Sequence, residues 1–190
     1  MDKAFNLIIN GIGGQGVITL LTLVDEAAFV DGYQVRSSEL HGLSQRGGSV
    51  ETHARFGKKV NSPLIENGKA DLIISLEALE GLRGATKAGS QTTFLINDQV
   101  FAFQGSLTLE EIKERFFSIK NKSYFVPAST ICEEKLQNDI GTGVFLFGYA
   151  VAKKLIPIKK KSVLQAIDNI VPEKYKDFNI KAFELGYAYN

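Results

Sequence analysis

The chain has 190 residues, of which 22 are basic and 21 acidic, so its formal net charge at pH 7 is only +1. This length suffices for one sizeable core, and the near balance of charge argues against a protein that depends on nucleic acid or on an anionic membrane surface. The single cysteine, Cys132, excludes an internal disulfide and cannot supply the ligand set of a structural zinc ion or an iron-sulfur cluster. We therefore expect one domain over residues 1–190, without a metal site of its own.

The start of the chain passes from Met1 directly into a strand pattern, without the charged start and cleavage site of a secretory signal. The most apolar later stretch, Val144 to Leu155, is shorter than the roughly 20 residues that span a bilayer. We interpret that stretch as a core helix and expect a cytoplasmic protein.

The first elements predicted along the chain are a strand, a glycine turn, a helix and a second strand. Phe5–Asn10 is apolar, and Val17–Val30 carries apolar residues at helical spacing. Tyr33–Val35 lies where the second strand of a βαβ unit would fall, parallel to the first if the crossover is right-handed. Ser37–Gly48 has no clear period, so we interpret it as a loop.

The rest of the chain alternates between strand and helix patterns. Ser49–Phe56 alternates as a half-buried strand does, and Ala70–Ser75 is apolar throughout, as a central parallel strand is. Thr108 and Glu111 form a capping-box pattern. Further helices are predicted at Glu77–Lys87, Leu107–Ile119, Ile140–Leu155, Lys161–Ile170 and Asn179–Tyr189, and strands at Thr92–Asn97 and Tyr124–Pro127. This order predicts an α/β, three-layer Rossmann-like domain with a largely parallel sheet, to which a β-hairpin can be added.

The sequence GIGGQG, at Gly11 to Gly16, is called here the first glycine loop. It fits the G-x-G-x-x-G pattern of dinucleotide-binding folds and stands between a predicted strand and a predicted helix. A dinucleotide site also needs an acidic residue at the end of the second strand, where this chain has Arg36 and only later Glu39. The loop is therefore either a phosphate site at a helix start or a turn that lets the helix pack closely. Gln15 adds an amide that can bond to a ligand or a neighbouring chain.

The sequence HGLSQRGG, at His41 to Gly48, is called here the second glycine loop. Its glycines permit positive φ angles, and exposed N–H groups in such turns form concavities that bind anions. Arg46 can grip a carboxylate or phosphate with two hydrogen bonds, or pair locally with Glu39 or Glu51. His41 is either a group that titrates near neutrality or a hydrogen-bonded structural residue. For the loop as a whole we favour an interface or ligand role.

The two loops supply the candidate site residues, whereas no triad, paired carboxylates or metal motif predicts a catalytic residue. Cys132 has the character of a small buried hydrophobic residue. Asn97–Asp98, at a strand end, is either a turn, which we favour, or a ligand contact. The cofactor-binding or subunit-interface candidates are Gly11, Gly13, Gly14, Gln15, Gly16, His41, Gly42, Gln45, Arg46, Gly47 and Gly48.

The two loops, in this order and spacing, resemble the γ-type domain of the 2-oxoacid:ferredoxin oxidoreductases. The resemblance covers most of the chain. It extends to Ser62-Pro63, Ile65, Gly68, Ala70, Asp71, Asn97, Asn179, Ala182, Phe183 and Gly186. The pyruvate and 2-oxoglutarate branches more typically carry Tyr-Gly or Phe-Gly followed by Glu and Arg-Gly in the second loop. His-Gly followed by Gln-Arg-Gly-Gly looks like the small subunit of the indolepyruvate branch.

This resemblance implies a subunit of an enzyme that oxidatively decarboxylates aryl 2-oxoacids to acyl-coenzyme A and reduces ferredoxin. The chain lacks the cysteine sets for clusters and a GDG-type thiamine motif. The resemblance thus places thiamine diphosphate and [4Fe-4S] clusters on a large α subunit, with coenzyme A as co-substrate. The two loops would face that partner, the cofactor or coenzyme A.

One position departs from the family pattern, and two other functions stay open. Near Gly141 to Gly148 the family commonly has an asparagine, and Gly143 stands at the matching place. The alternative functions are a free-standing dinucleotide-binding oxidoreductase and a regulatory nucleotide-binding module.

Overall fold

The computed structural model describes residues 3–41 and 47–189, with the backbone alone at His41. Its six-stranded sheet has the order β2-β3-β1-β4-β5-β6. The strands are β1 (Phe5–Ile12), β2 (Gln34–His41), β3 (Ser49–Gly57), β4 (Ala70–Ser75), β5 (Ala88–Asn97) and β6 (Lys122–Val126). The helices are α1 (Val17–Val30), α2 (Ala78–Gly84), α3 (Leu109–Ile119), α4 (Ala128–Leu136), α5 (Thr142–Ala152), α6 (Lys160–Ile170) and α7 (Glu173–Ala188).

The parallel part of the sheet is buried on both faces, as its continuous apolar strands predict. Strands β1, β4, β5 and β6 run parallel to one another. Leu7 and Ile9 of β1 face a core that includes residues of α1, α4, α5, α6 and α7. Ile8, from the same strand, faces a smaller core with residues of α2 and α3. The predicted three-layer α/β fold is therefore confirmed.

The antiparallel strand β3 lies between the two strands of the predicted βαβ unit. It pairs with β1 and also with β2, so β2 and β3 form the added hairpin. Strand β2 has the direction of β1, as predicted, but it is not the neighbour of β1. The prediction of a loop from Ser37 was wrong over residues 37–41, because the pairing with β3 extends β2 to His41.

The helix predictions hold where periodicity or capping is strong. Helix α1 has the predicted bounds, and α3 begins with the predicted capping box, in which Glu111 N–H donates to Thr108 Oγ1 at 3.2 Å. Helix α4 was not predicted, because its nine residues offer too short an apolar pattern. Helix α7 begins six residues earlier than predicted, directly after Pro172.

Helices α5 and α7 approach each other closely at two glycines, and the rings of Phe147 and Phe183 also meet between them. A Cβ atom on Gly148 would fall inside van der Waals distance of the Phe183 carbonyl oxygen, and one on Gly186 would do so at the Phe145 carbonyl oxygen. Residues Thr142–Val151 of α5 are all buried, which confirms its interpretation as a core helix. In the described ranges, no helix is both long and apolar enough to cross a membrane.

This contact predicts unequal effects of two glycine substitutions in one helix. At Gly143 the nearest atom to an added Cβ is the flexible Leu20 side chain at 3.3 Å, whereas at Gly148 it is backbone. A change to alanine gains at most about 1 kcal/mol of helix propensity at either position, so the steric cost decides the difference. We expect Gly148→Ala to lower the free energy of unfolding by about 2 kcal/mol or more relative to Gly143→Ala. Urea unfolding measures the difference, and equal midpoints for the two variants would contradict the packing argument.

Cys132 lies in α4 with no exposed surface, as its interpretation as a small hydrophobic residue predicts. Burial raises the pKa of its thiol to about 11, and the charge of Asp139 adds to the increase. Because the thiolate is the reactive form, we expect Cys132 to resist a thiol reagent at pH 8 in the folded protein and to react fully in urea. Titration with a chromogenic disulfide tests this. Rapid labelling of the native chain would show that α4 opens or that Cys132 is accessible.

Candidate functional site

The candidate site lies at the edge of the sheet where the parallel strands end. Ligands of open α/β sheets bind beyond this carboxyl edge. The first glycine loop leads from the end of β1 to α1, and Leu76 and Asn97 mark the ends of β4 and β5 at the same edge.

The two glycine loops meet through their backbones. Gly13 N–H donates to the Gly48 carbonyl oxygen at 2.8 Å, and Gly47 N–H donates to the Gly13 carbonyl oxygen at 3.2 Å. These bonds continue the β1–β3 pairing beyond its last pair, Ile12 with Ser49. Two signals thirty residues apart in the sequence thus belong to one backbone unit.

Part of the second glycine loop lies outside the described residues. Gly42, Gln45 and Arg46 lie in the undescribed range 42–46. The side chain of His41 also lies outside what the structure describes. Their predicted roles therefore stay predictions. Gly47, at the end of this gap, has a φ of +73°, so the positive φ expected of the loop glycines occurs there.

The first glycine loop presents an open helix start. Gly16 precedes α1 with a φ of +82°, and no side chain caps the helix. Gly14 has a φ of +107°, and nothing lies within 4 Å of the place where its Cβ would stand. Uncapped N–H groups at a helix start, together with the helix dipole, favour an anionic group.

Gln15 uses most of its amide inside the protein. Its Oε1 accepts a hydrogen bond from Ile12 N–H at 2.7 Å, and its Nε2 donates to the Leu76 carbonyl oxygen at 3.4 Å. A Cβ on Gly11 would lie 2.8 Å from this Oε1, so a glycine there lets Gln15 fold back. Since an amide nitrogen carries two hydrogens, Gln15 keeps one donor for another partner.

Asn97 connects three elements at the carboxyl edge. Its buried Nδ2 donates to the Leu76 carbonyl oxygen and to Ser129 Oγ, both at 3.1 Å. Its Oδ1 accepts from Ser129 N–H at 3.1 Å, at the start of α4. Sequence reasoning found the strand end but not this role, because Leu76 and Ser129 are distant in sequence.

A buried carboxylate holds the end of the second glycine loop. Glu80 of α2 accepts hydrogen bonds from Ser49 Oγ and from the Arg83 guanidinium. Asn10 Nδ2 donates to the Glu80 carbonyl oxygen at 2.9 Å, which ties α2 to β1 as well. The spacing of Glu80 and Arg83 was the only signal in the sequence, and it is common on helix surfaces.

Glu77 caps α2 and holds the chain that follows β5. One carboxylate oxygen accepts from Glu80 N–H at 2.7 Å, and the other from Phe101 N–H at 3.1 Å. Burial raises the pKa of Glu77 above its ordinary value, although these backbone bonds oppose the increase. The carboxylate therefore serves the loop structure at this edge.

The position of β3 does not suit a standard dinucleotide site. In such a site the acidic residue stands on the strand beside β1. Here Glu39 of β2 is opposite Thr52 of β3, and Thr52 is opposite Ile9 of β1, so a whole strand separates Glu39 from the first glycine loop. Arg36 donates to the Val35 carbonyl oxygen and lies exposed on β2.

His53 and Glu51 form a structural pair on β3. His53 Nδ1 accepts from Ile65 N–H at 3.0 Å, so its Nε2 carries the proton that points to Glu51 Oε1, also at 3.0 Å. Over residues 3–41 and 47–189 no group of three or more His, Cys, Asp or Glu side chains could hold a metal ion. The described residues therefore do not fit an iron-sulfur cluster.

Gly143, the departure from the family pattern, packs behind the first glycine loop. A Cβ there would lie 3.3 Å from Leu20 of α1 and 3.7 Å from Leu76. Leucine side chains therefore lie beside Gly143, and its match to a family asparagine stays a prediction.

Comparison with known proteins matches this arrangement to one family. The family model described as pyruvate ferredoxin/flavodoxin oxidoreductase covers residues 6–189. The indolepyruvate oxidoreductase subunit IorB of Pyrococcus horikoshii is 36% identical, over 97% of this chain and 95% of that protein.

Solved structures show the same fold. The γ subunit of a keto/oxoacid ferredoxin oxidoreductase from Geobacter sulfurreducens superposes with a TM-score of 0.73 at 20% identity, over 96% of each chain. A 2-oxoglutarate:ferredoxin oxidoreductase from Magnetococcus marinus, with 2-oxoglutarate, coenzyme A and succinyl-CoA bound, superposes with a TM-score of 0.73 at 17% identity. That match covers 99% of this chain and 31% of the longer one. The family model and the 36% identical relative show that the chain belongs to the pyruvate ferredoxin/flavodoxin oxidoreductase family.

Proposed function

We propose that this chain is the small subunit of an indolepyruvate:ferredoxin oxidoreductase. The complex oxidatively decarboxylates aryl 2-oxoacids to acyl-coenzyme A with ferredoxin as electron acceptor. The full-length likeness to an indolepyruvate oxidoreductase subunit supports the substrate class. The observation that carries the role of this chain is the joining of the two glycine loops at the carboxyl edge, beside an uncapped helix start.

The large partner subunit holds thiamine diphosphate and the iron-sulfur clusters in this proposal. Thiamine diphosphate supplies the electron sink for decarboxylation, and the clusters carry the electrons. The described residues of this chain offer one buried thiol and no candidate metal group, which supports placing the iron-sulfur clusters on another chain. The cytoplasmic location and the single domain over residues 1–190 remain parts of the proposal.

The contribution of this chain is to bind and position. N–H groups at the start of α1 point an electropositive helix end at the carboxyl edge, which suits a phosphate of coenzyme A or a carboxylate of the partner. Gln15 and Asn97 both bond the Leu76 carbonyl oxygen and so hold the base of the loop. A held loop gives precise positioning because its geometry is fixed before the ligand arrives.

Anaerobic co-expression with the large subunit tests the proposal. We expect a stable complex that reduces ferredoxin or a viologen dye only when both indolepyruvate and coenzyme A are present. Neither chain alone should do so, because the cofactors and the completed site are on different chains. Gel filtration and dye reduction are the measurements.

Two results would contradict this function. One is a chain that stays separate from the large subunit. The other is binding of NAD, NADP or a flavin by the isolated chain in calorimetry, which would favour a free-standing dinucleotide enzyme. We expect no heat of binding, because β3 separates Glu39 from the first glycine loop.

The first glycine loop can be tested with a charge placed in it. Gly14→Glu puts a carboxylate beside the start of α1, where it competes with an anionic group. Gly32→Glu is the matched control. Gly32 is also exposed with positive φ and nothing within 4 Å of its Cβ position, but it lies at the opposite edge of the sheet.

We expect the Gly14→Glu complex to lose about tenfold or more in kcat/KM for coenzyme A, and the Gly32→Glu complex less than about twofold. A rise in KM for coenzyme A would indicate ligand contact, whereas weaker assembly would indicate contact with the partner. Equal behaviour of the two variants would remove the first glycine loop from the proposed site.

A further inference from the structure

A second cleft lies on the side of the sheet formed by β2. Its volume is about 370 Å³, and none of the described residues of either glycine loop lines it. Residues of α1 form one wall, residues of β2 form the floor, and Ile170 at the end of α6 closes it. We call it the edge cleft. Its lining includes Asp25, Glu26, Phe29, Ser37, Glu39 and Ile170.

The edge cleft is acidic and lacks a cation among its lining residues. Asp25, Glu26 and Glu39 contribute carboxylates, and no lysine or arginine lines the cleft. Glu26 accepts a hydrogen bond from Asn169 Nδ2 at 2.6 Å, so one of its carboxylate oxygens already has a partner. The buried Oδ1 atom of Asp25 has no hydrogen-bond partner. Burial raises the pKa of Asp25 to about 6, and a hydrogen bond from Ser37 only partly offsets the increase.

The mouth of the edge cleft is apolar and adjoins a free sheet edge. Phe29 is 70% exposed and Ile170 is 38% exposed. Strand β2 is the terminal strand of the sheet, so one side of its backbone has no strand partner within the described structure. Native proteins usually cover such edges or interrupt them with charge, and β2 carries only Arg36 and Glu39 as full charges. A long exposed edge next to an apolar mouth is typical of an interface.

We propose that the edge cleft is a docking site for the large partner subunit, which inserts a lysine or arginine side chain from a segment lying along β2. The hydrocarbon stem of that side chain packs on Phe29 and Ile170, and its charged end pairs with Asp25 and Glu39. This inference rests on the proposed function, because it assumes that the partner exists.

Charge complementarity favours the partner subunit over a second copy of this chain. Side chains alternate between the two faces of a strand, and Val35, Ser37 and Glu39 face the cleft. Arg36, the only lysine or arginine of β2, therefore points to the other face. Two copies joined at β2 would bring together two acidic clefts without a lysine or arginine from either strand to pair with them.

The test compares charge-neutralised and apolar variants with matched controls. Asp25→Asn with Glu39→Gln removes the two charges at nearly constant shape, and Phe29→Ser removes the exposed ring. Glu133→Gln with Glu134→Gln, exposed on α4, and Phe117→Ser, 88% exposed on α3, are the controls. Thermal unfolding of each full-length variant first establishes that it folds. Calorimetry then measures binding to the purified large subunit.

We expect the double variant and Phe29→Ser each to bind about tenfold or more weakly, and both controls to bind like the wild-type chain. If both cleft variants bind the large subunit within about twofold of the wild-type affinity, the docking site is wrong and the proposed function still stands. Failure of the wild-type chain to bind the large subunit would overturn both. A homodimer that only the cleft variants dissociate, seen by sedimentation, would overturn the choice of partner.

Discussion

Strand β3 pairs antiparallel with β1 along eight residue pairs, from Phe5 with Phe56 to Ile12 with Ser49. The contact between the two glycine loops and the position of β2 in the sheet both depend on this pairing. Because the chain runs backward at β3, residues 47–48 arrive at the end where β1 gives way to the first glycine loop. The same pairing moves β2 outward by one strand. One arrangement thus joins the two loops, separates Glu39 from the first of them and leaves β2 as a free edge.

Several polar side chains below the loops are bonded to one another, whereas the buried Asn10 Oδ1 and Ser75 Oγ have no hydrogen-bond partner. The Leu76 carbonyl oxygen receives Nε2 of Gln15 and Nδ2 of Asn97, which connects the ends of three parallel strands. Glu80 of α2 holds the start of β3, because it accepts a hydrogen bond from Ser49 Oγ. The side chains therefore fix the edge, and the start of α1 is left without a side-chain cap. Such a division suits a subunit that completes a site assembled with another chain.

The sequence predicts elements whose signals are local, and the prediction fails where pairing with a distant strand determines the structure. The bounds of α1 follow from its apolar period and from Asp31–Gly32, and the capping box locates the start of α3. The extension of β2 through Ser37 and Ser38 follows from hydrogen bonds with β3, which no local pattern in these polar residues reveals. The glycines of the two loops made them candidates from the sequence, but Glu80 was not one, because its contact with Ser49 joins residues thirty-one positions apart.

The glycine contact between α5 and α7 has a consequence for how the molecule opens. With backbone against backbone at Gly148 and Gly186, one helix cannot slide along the other without a clash between main chains. The two helices therefore form one cooperative unit, which separates completely or not at all. Gly143, in the same helix, rests on Leu20 of α1 and on Leu76. Loss of α7 would thus weaken the packing of α5 on α1. The C-terminal helix therefore helps to stabilise the glycine loops, which lie near the other end of the sequence.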